Sequence, residues 1–221
     1  WNPEFGIWNL KPVNPLKDGI KPMMRSLAFP FFILLFCAPP ARGAEDAVAE
    51  PLRDLASLKQ ATNPARLRAL EKMLEARGIP YERQTFSSAA TPHGRTRGTN
   101  LIVTFGTGGR EITLGAHYDA LELPEGGLVD GMIDNGASTI ILVRIAEALR
   151  GTDPHHRVRI VFFDMEETGF AGSQAYVAAG KSDIAAAVIL DIAGFGDSLG
   201  YGTGKSGNSA AIRKALLASC A

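Results

Sequence analysis

Side chains that can bind metals or transfer protons occur in four short segments of this chain. The segments are GAHYD at 115–119, IDNGAS at 133–138, FFDMEETG at 162–169 and LDIAG at 190–194. The first, third and fourth follow apolar runs that are typical of buried strands, and the second leads into an apolar helical run. In α/β proteins functional side chains gather beyond the carboxyl ends of the strands, so we expect the four segments to meet at one rim of a sheet.

The residue types in these segments suit zinc-assisted hydrolysis. Zinc accepts neutral histidine nitrogen and carboxylate oxygen, and two zinc ions need a carboxylate that is shared between them. His117 offers the imidazole, and Asp134 suits the bridging position because it lies on a tight turn ahead of a helix. In the adjacent pair Glu166 and Glu167, one carboxylate can bind metal while the other accepts a proton from water.

The other polar candidates have different expected roles. Asp119 lies two residues after His117, where its carboxylate can hydrogen-bond the ring and fix the ring tautomer. Asp130 is a rival to Asp134 as a bridging ligand, but the Asn-Gly-Ala-Ser sequence that follows Asp134 does not follow it. The remaining histidines lie in turn-like sequence and are expected to be loop residues: His93, His155 and His156.

The motifs GAHYD, IDNGAS, FFDMEETGFAGS and LDIAG resemble those of the M28 family of zinc aminopeptidases. The resemblance covers about residues 97–197, with the motifs in the same order. It implies a zinc-exopeptidase-like α/β fold, a three-layer sandwich with a central, mostly parallel (mixed) sheet. It also implies a metallopeptidase that hydrolyses peptide bonds at a free amino terminus and binds two Zn²⁺ ions.

The resemblance assigns a role to each candidate residue. His117 and Asp191 would bind one zinc, Asp134 would bridge the two ions, and Glu167 would bind the second. Two residues would be catalytic without binding metal: Glu166 as the general base and Asp119 as the support of His117. The peptide bond between Asp134 and Asn135 would be cis.

One part of the family pattern is missing. The family has a further histidine ligand downstream of the LDIAG-like segment, whereas His156 is the last histidine of this chain. We therefore expect the chain to end before that ligand and to hold the second zinc poorly as it stands.

Three other functions are compatible with parts of the sequence. A glutaminyl cyclase shares the fold and uses a single zinc, although the Asp134-Asn135-Gly136 turn and His117 are more typical of the two-zinc peptidases. A catalytically impaired, peptidase-like binding module usually lacks several of the metal ligands, whereas this chain keeps four of them and the general base. The third function is nucleotide binding, because the sequence GTGKSG at 202–207 matches the pattern G-x-G-x-x-G. This segment lacks a convincing preceding strand and is interpreted as a glycine-rich loop.

Alternating helical and strand-like segments are expected to position the site. Helices are predicted at 48–59, 64–77, 137–149, 172–179 and 210–221. The second of these has Asn63 as its predicted N-cap, Pro64 in its first position and Gly78 just past its end. Strands are predicted at 81–86, 101–105, 112–115, 158–163 and 185–190. This alternation favours a sheet that is covered by helices on both faces.

Composition and the N-terminal segment add the cellular context. The 221 residues carry 23 basic and 23 acidic side chains, which favours no nucleic-acid partner. Residues 23–44 have the order of a cleaved secretory signal, and their apolar run is shorter than the ~20 residues that span a bilayer. We expect an exported, periplasmic or secreted protein without a stable membrane anchor. Residues 1–22 are expected to be upstream or non-native sequence, and residues 45–221 are expected to be the peptidase domain, incomplete at its C-terminus.

Overall fold

Two amphipathic helices begin the part of the chain that the structure describes. In the computed structural model this part comprises residues 44–180 and 183–194, with Lys214 and Ala218, and all but those two lie in one unit, Pro39–Phe195. Helix α1 spans Ala44–Ser57 and helix α2 spans Asn63–Ala76. The segment 1–22, residues 23–43 of the expected signal, the loop 202–207 and nearly all of the expected helix 210–221 lie outside the described residues.

Helix α2 begins one residue earlier than the sequence predicts. Thr62 is the N-cap, and its hydroxyl accepts a hydrogen bond of 3.3 Å from a backbone N–H of the first turn. The prediction of Asn63 as the cap is wrong, because its side chain pairs instead with the backbone of Ala120, outside the helix. Gly78 follows the helix with φ of 60°, as expected of a residue that ends a helix.

Within the described part of the chain, five strands form one mixed sheet in the order β1-β2-β4-β3-β5. The first two pairings, β1 with β2 and β2 with β4, are antiparallel, whereas β3 is parallel to both β4 and β5. All five strands were predicted, with ends that differ by a few residues. Their bounds are Glu82–Ser87, Arg97–Phe105, Arg110–His117, Arg157–Phe163 and Asp183–Ile189.

Helices cover both faces of this sheet. Side chains alternate along a strand, so the buried Phe162 and Phe163 of β4 point to opposite faces. Phe162 belongs to a large apolar core with residues of α2 and of α3 (Ser138–Leu149), whereas Phe163 packs with Tyr176 of α4 (Ala171–Ala179). The expected α/β sandwich with a mixed central sheet is confirmed. Among the described helices, none is long and apolar enough to cross a membrane.

Candidate metal centre

The three parallel strands end at the same rim of the sheet and bring three of the four segments together. His117 is the last residue of β3 and lies opposite Phe163, the last residue of β4. Glu166 and Glu167 lie three and four residues beyond the end of β4, and Asp191 lies two residues beyond the end of β5. Strand register therefore places these side chains side by side, as the sequence predicts.

The fourth segment reaches the same rim through an irregular turn ahead of α3. The chain forms an irregular turn, Met132–Ala137, in which the backbone angles of Asp134 (φ −106°, ψ 95°) and Asn135 (φ −129°, ψ 37°) are not helical. The peptide bond between these two residues is cis, which confirms that expectation. The backbone N–H of Gly136 closes the turn on the carbonyl of Gly131 at 3.1 Å.

The imidazole of His117 is surrounded by carboxylates. Its Nε2 lies 3.1 Å from Asp134 Oδ1, 3.6 Å from Asp191 Oδ1 and 3.9 Å from Glu166 Oε2. The ring is buried, whereas the side chains of Asp134 and Asp191 are half exposed. One end of the cluster is thus fixed in the core and the other faces solvent.

Among the residues that the structure describes, two groups of three side chains have the geometry of a metal site. In the first, His117, Asp134 and Asp191 place ligand atoms within 4.8 Å of one another, and in the second His117, Glu166 and Glu167 do so. The geometry does not separate the roles of Glu166 and Glu167, because both belong to the second group. The rival residue Asp130 is in neither group and instead forms an exposed salt bridge of 2.7 Å with Lys59.

Asp119 contacts two of the loops that form the site. His117 Nδ1 lies 3.1 Å from the backbone oxygen of Asp119 and 3.5 Å from its carboxylate. That carboxylate also accepts hydrogen bonds from the backbone N–H groups of Glu166, at 3.1 Å, and of Glu167, at 3.3 Å. The buried Asp119 therefore joins the end of β3 to the Glu166-Glu167 loop, a connection that the spacing of the residues does not reveal.

A family comparison agrees with this arrangement. The sequence profile described as Peptidase family M28 matches residues 100–220, which is more than half of the 221-residue chain. The chain belongs to peptidase family M28. All four motifs lie within the matched range. No curated protein sequence matches the chain.

Solved structures with the same fold include peptidases and glutaminyl cyclases. A leucine aminopeptidase precursor from Bacteroides thetaiotaomicron is 19% identical, with a TM-score of 0.55 over 69% of this chain and 63% of that one. A Zn-dependent exopeptidase from Parabacteroides distasonis is 21% identical, with a TM-score of 0.53 over 69% and 62%. A glutaminyl cyclase from Tannerella forsythia is 22% identical, with a TM-score of 0.54 over 69% and 62%. The chain thus spans about three fifths of the length of these structures, and the likeness concerns the fold.

The carboxylates of this M28 site leave an excess of negative charge. Burial lowers the pKa of His117, but hydrogen bonds to Asp119 and Asp191 and the charges of Asp119 and Glu166 outweigh it and raise the pKa to about 11. Burial, reinforced by the charge of Asp134, raises the pKa of Glu167 to about 7. Burial also raises the pKa of Glu166. A bound cation would relieve this repulsion.

The donor set fits zinc, the metal that the family implies. One imidazole nitrogen and several carboxylate oxygens are ligands that Zn²⁺ accepts. Within residues 44–180 and 183–194, no lysine or arginine forms an ion pair with any of the carboxylates of the site. The residues that would hold a metal are His117, Asp134, Asp191 and the Glu166-Glu167 pair.

Two residues that hold the site together were not predicted from the sequence. Asn63 and Arg66 of α2 are buried and donate hydrogen bonds to the backbone around the site. A signal for both exists, because they fall at helical spacing from Leu70 and Leu74 on the apolar stripe of α2. A polar residue on a stripe that must be buried indicates a partner elsewhere in the fold.

Proposed function

We propose that this M28 member is a zinc-dependent metallopeptidase that hydrolyses peptide bonds at a free amino terminus. The observation that carries the proposal is the convergence of His117 with Asp134 and Asp191 on one side and with Glu166 and Glu167 on the other. Neither triad on its own distinguishes a peptidase from another metalloprotein. Together with the family membership they favour hydrolysis of peptides.

The metal would be held by the ligand groups around His117. When bound, zinc supplies a Lewis acid that polarises a carbonyl group and acidifies water. We propose that Asp134 is shared between two ions, that His117 and Asp191 complete one site, and that Glu167 belongs to the second. The single buried histidine then orients the cluster, and the half-exposed aspartates complete it on the solvent side.

Glu166 is the residue that would move the proton. Its backbone N–H is held by Asp119, and its carboxylate lies 3.9 Å from His117 and is 26% exposed, so that water and substrate can reach it. A carboxylate whose pKa is raised by burial is a better proton acceptor than a fully solvated one. In the proposed reaction Glu166 accepts a proton from the attacking water and delivers it to the leaving amine.

The charge of the site suits a substrate with a free amino group. The α-amino group of a peptide is largely protonated near neutral pH, and a rim carboxylate that would bind no metal, such as Glu166, attracts it. An internal peptide bond carries no such charge. We therefore favour removal of amino-terminal residues over cleavage within a chain.

A glutaminyl cyclase is the second candidate. The group His117, Asp134 and Asp191 would suffice for one zinc, and a glutaminyl cyclase is among the structural neighbours. In that reaction the α-amine of an amino-terminal glutamine attacks the side-chain amide carbon, a ring closes and ammonia leaves. Glu166 would then carry a proton from the amine to the departing ammonia.

One set of assays separates these functions. The purified protein is analysed for zinc and incubated with amino-acid p-nitroanilides and with a peptide that begins with glutamine. We expect bound zinc and release of nitroaniline, lost with a chelator and restored by zinc. Cyclisation without hydrolysis would establish the glutaminyl cyclase instead. Zinc binding with neither reaction would indicate a binding module, and absence of zinc binding would refute the metallopeptidase.

A further inference from the structure

Arg66 of α2 is fully buried, with 0% of its surface exposed. Among the described residues its guanidinium pairs with no carboxylate and instead donates to three backbone carbonyl groups. Its Nε lies 2.7 Å from Tyr118 O, its Nη1 lies 3.0 Å from Leu58 O and its Nη2 lies 3.0 Å from Gly131 O. Burying a cation is costly because its charge is removed from water. An apolar side chain would fill the same space without that cost.

Two of the three carbonyl groups belong to the loops that carry the candidate ligands. Tyr118 lies between His117 and Asp119, at the end of β3. Gly131 lies three residues before Asp134, and its carbonyl also accepts the hydrogen bond from Gly136 that closes the turn around Asp134. One rigid guanidinium plane therefore spans the separation between the His117 loop and the Asp134 turn.

The turn approaches the guanidinium closely. Gly131 has φ of 61°, a conformation that L side chains rarely adopt. A Cβ atom at this position would lie 2.6 Å from Ala120 Cβ and 3.0 Å from Arg66 Nη1. The backbone at Gly131 thus packs directly on the arginine and on the loop after β3, which leaves little freedom for the turn to shift.

Asn63, three residues before Arg66, contacts the same loop at a second point. Its Nδ2 donates to Ala120 O at 2.9 Å, and its Oδ1 accepts from Ala120 N at 2.8 Å. Asn63 is 2% exposed, so both hydrogen bonds form in the protein interior. The start of α2 therefore holds the residues on both sides of Asp119.

We propose that Arg66 and Asn63 are positioning residues, which set the distance between His117 and Asp134 for metal binding. The proposal rests on the proposed function, because it requires His117 and Asp134 to bind the same metal. Lysine cannot replace Arg66 in this role, because a single ammonium cannot span three carbonyl groups in a plane.

The test compares zinc affinity in Arg66→Lys and in the matched control Arg68→Lys, which makes the same change at an exposed position of α2. Affinity is measured by competition with a chromophoric chelator, and near-UV circular dichroism establishes that each variant is folded. We expect the zinc affinity of Arg66→Lys to fall at least about tenfold, as for other residues that orient metal ligands, and that of Arg68→Lys to equal the wild type. A folded Arg66→Lys with wild-type zinc affinity would overturn the proposal.

A second variant protects the test against misfolding. Asn63→Ser removes the paired hydrogen bonds to Ala120 without altering a charge, and we expect it to weaken zinc binding in the folded protein by a smaller factor. Failure of both variants to fold would make the role of these residues purely structural and would overturn the proposal. If the wild type itself binds no zinc, the proposed function and this proposal both fail. Wild-type zinc affinity in a folded Arg66→Lys variant is a different outcome, which would overturn this proposal alone.

Discussion

The side-chain amide of Asn135 donates a hydrogen bond of 2.9 Å to the backbone carbonyl oxygen of Leu190. Asn135 follows Asp134 and is fully buried, and Leu190 precedes Asp191. The contact therefore joins the turn that carries one candidate ligand to the strand end that carries another. The residues are 55 positions apart in the chain, so the connection exists only in the folded protein.

The first prediction concerns this contact. Asn135→Ala removes the donor to Leu190 and leaves a small cavity, so we expect the free energy of unfolding to fall by about 1–3 kcal/mol, together with a loss of zinc affinity. Urea denaturation and zinc titration measure the two effects. Gln60→Ala is the control, since it removes an exposed side-chain amide that bonds to Ser57 O, and we expect a change within about 0.5 kcal/mol. Equal effects of the two substitutions would contradict the prediction.

The second prediction separates the two adjacent glutamates. Glu166→Gln keeps the shape of the side chain but cannot accept a proton, so turnover should fall at least about a hundredfold while zinc remains bound. Glu167→Gln removes a charged ligand, so zinc content should drop together with activity. The exposed Glu125→Gln serves as the control and should change neither. Metal analysis of the purified variants decides the matter, and loss of zinc from Glu166→Gln alone would reverse the two roles.

The third prediction concerns the ion pair between the partly buried Arg95 and the buried Asp164, next to the site. Arg95 Nη1 lies 2.7 Å from Asp164 Oδ2, and Asp164 is 1% exposed and lies two residues before Glu166. Arg95→Met leaves this carboxylate without its cation, and we expect a loss of about 3–5 kcal/mol in the free energy of unfolding. Arg97→Met makes the same change at an exposed position and should cost less than about 0.5 kcal/mol. Chemical denaturation compares them, and a small loss in Arg95→Met would refute the prediction.

The fourth prediction concerns stability against acid. Burial raises the pKa of Glu122, but hydrogen bonds from Thr91, from the backbone of His93 and from Asn63, with the charge of Arg95, outweigh it and lower the pKa. A folded-state pKa below the unfolded one means that the carboxylate stabilises the fold above its unfolded pKa of about 4.3. That stabilisation is lost as the pH falls through the folded-state pKa.

Glu122→Gln isolates this contribution. We expect the wild type to be more stable than the variant near about pH 6, and the difference between them to shrink toward about pH 3. The exposed Glu125→Gln should follow the wild-type curve throughout. Thermal unfolding at a series of pH values measures the three curves. A difference between wild type and Glu122→Gln that stays constant with pH would contradict the lowered pKa.

The pattern of apolar residues predicted which strands and helices follow one another along the chain. This was possible because the spacing of buried side chains is a local property of each strand or helix. The pattern did not reveal the N-cap of α2. Thr62 and Asn63 are both good capping residues, and the choice depends on Ala120, which lies 57 positions beyond Asn63 and binds its amide. Competition between a local and a distant partner is decided by the fold.

The four motifs in the sequence determined which residues are the candidate ligands, because zinc accepts few side-chain types and the strand ends collect them at one rim. The tertiary structure decided how they are held: by Arg66 between two loops, by Asp119 beneath the Glu166-Glu167 loop, and by Asn135 on Leu190. These contacts bridge segments far apart in the chain. The lengths of these hydrogen bonds depend on how whole helices and strands pack. Whether a residue can bind zinc depends only on its side-chain type, which the sequence gives directly.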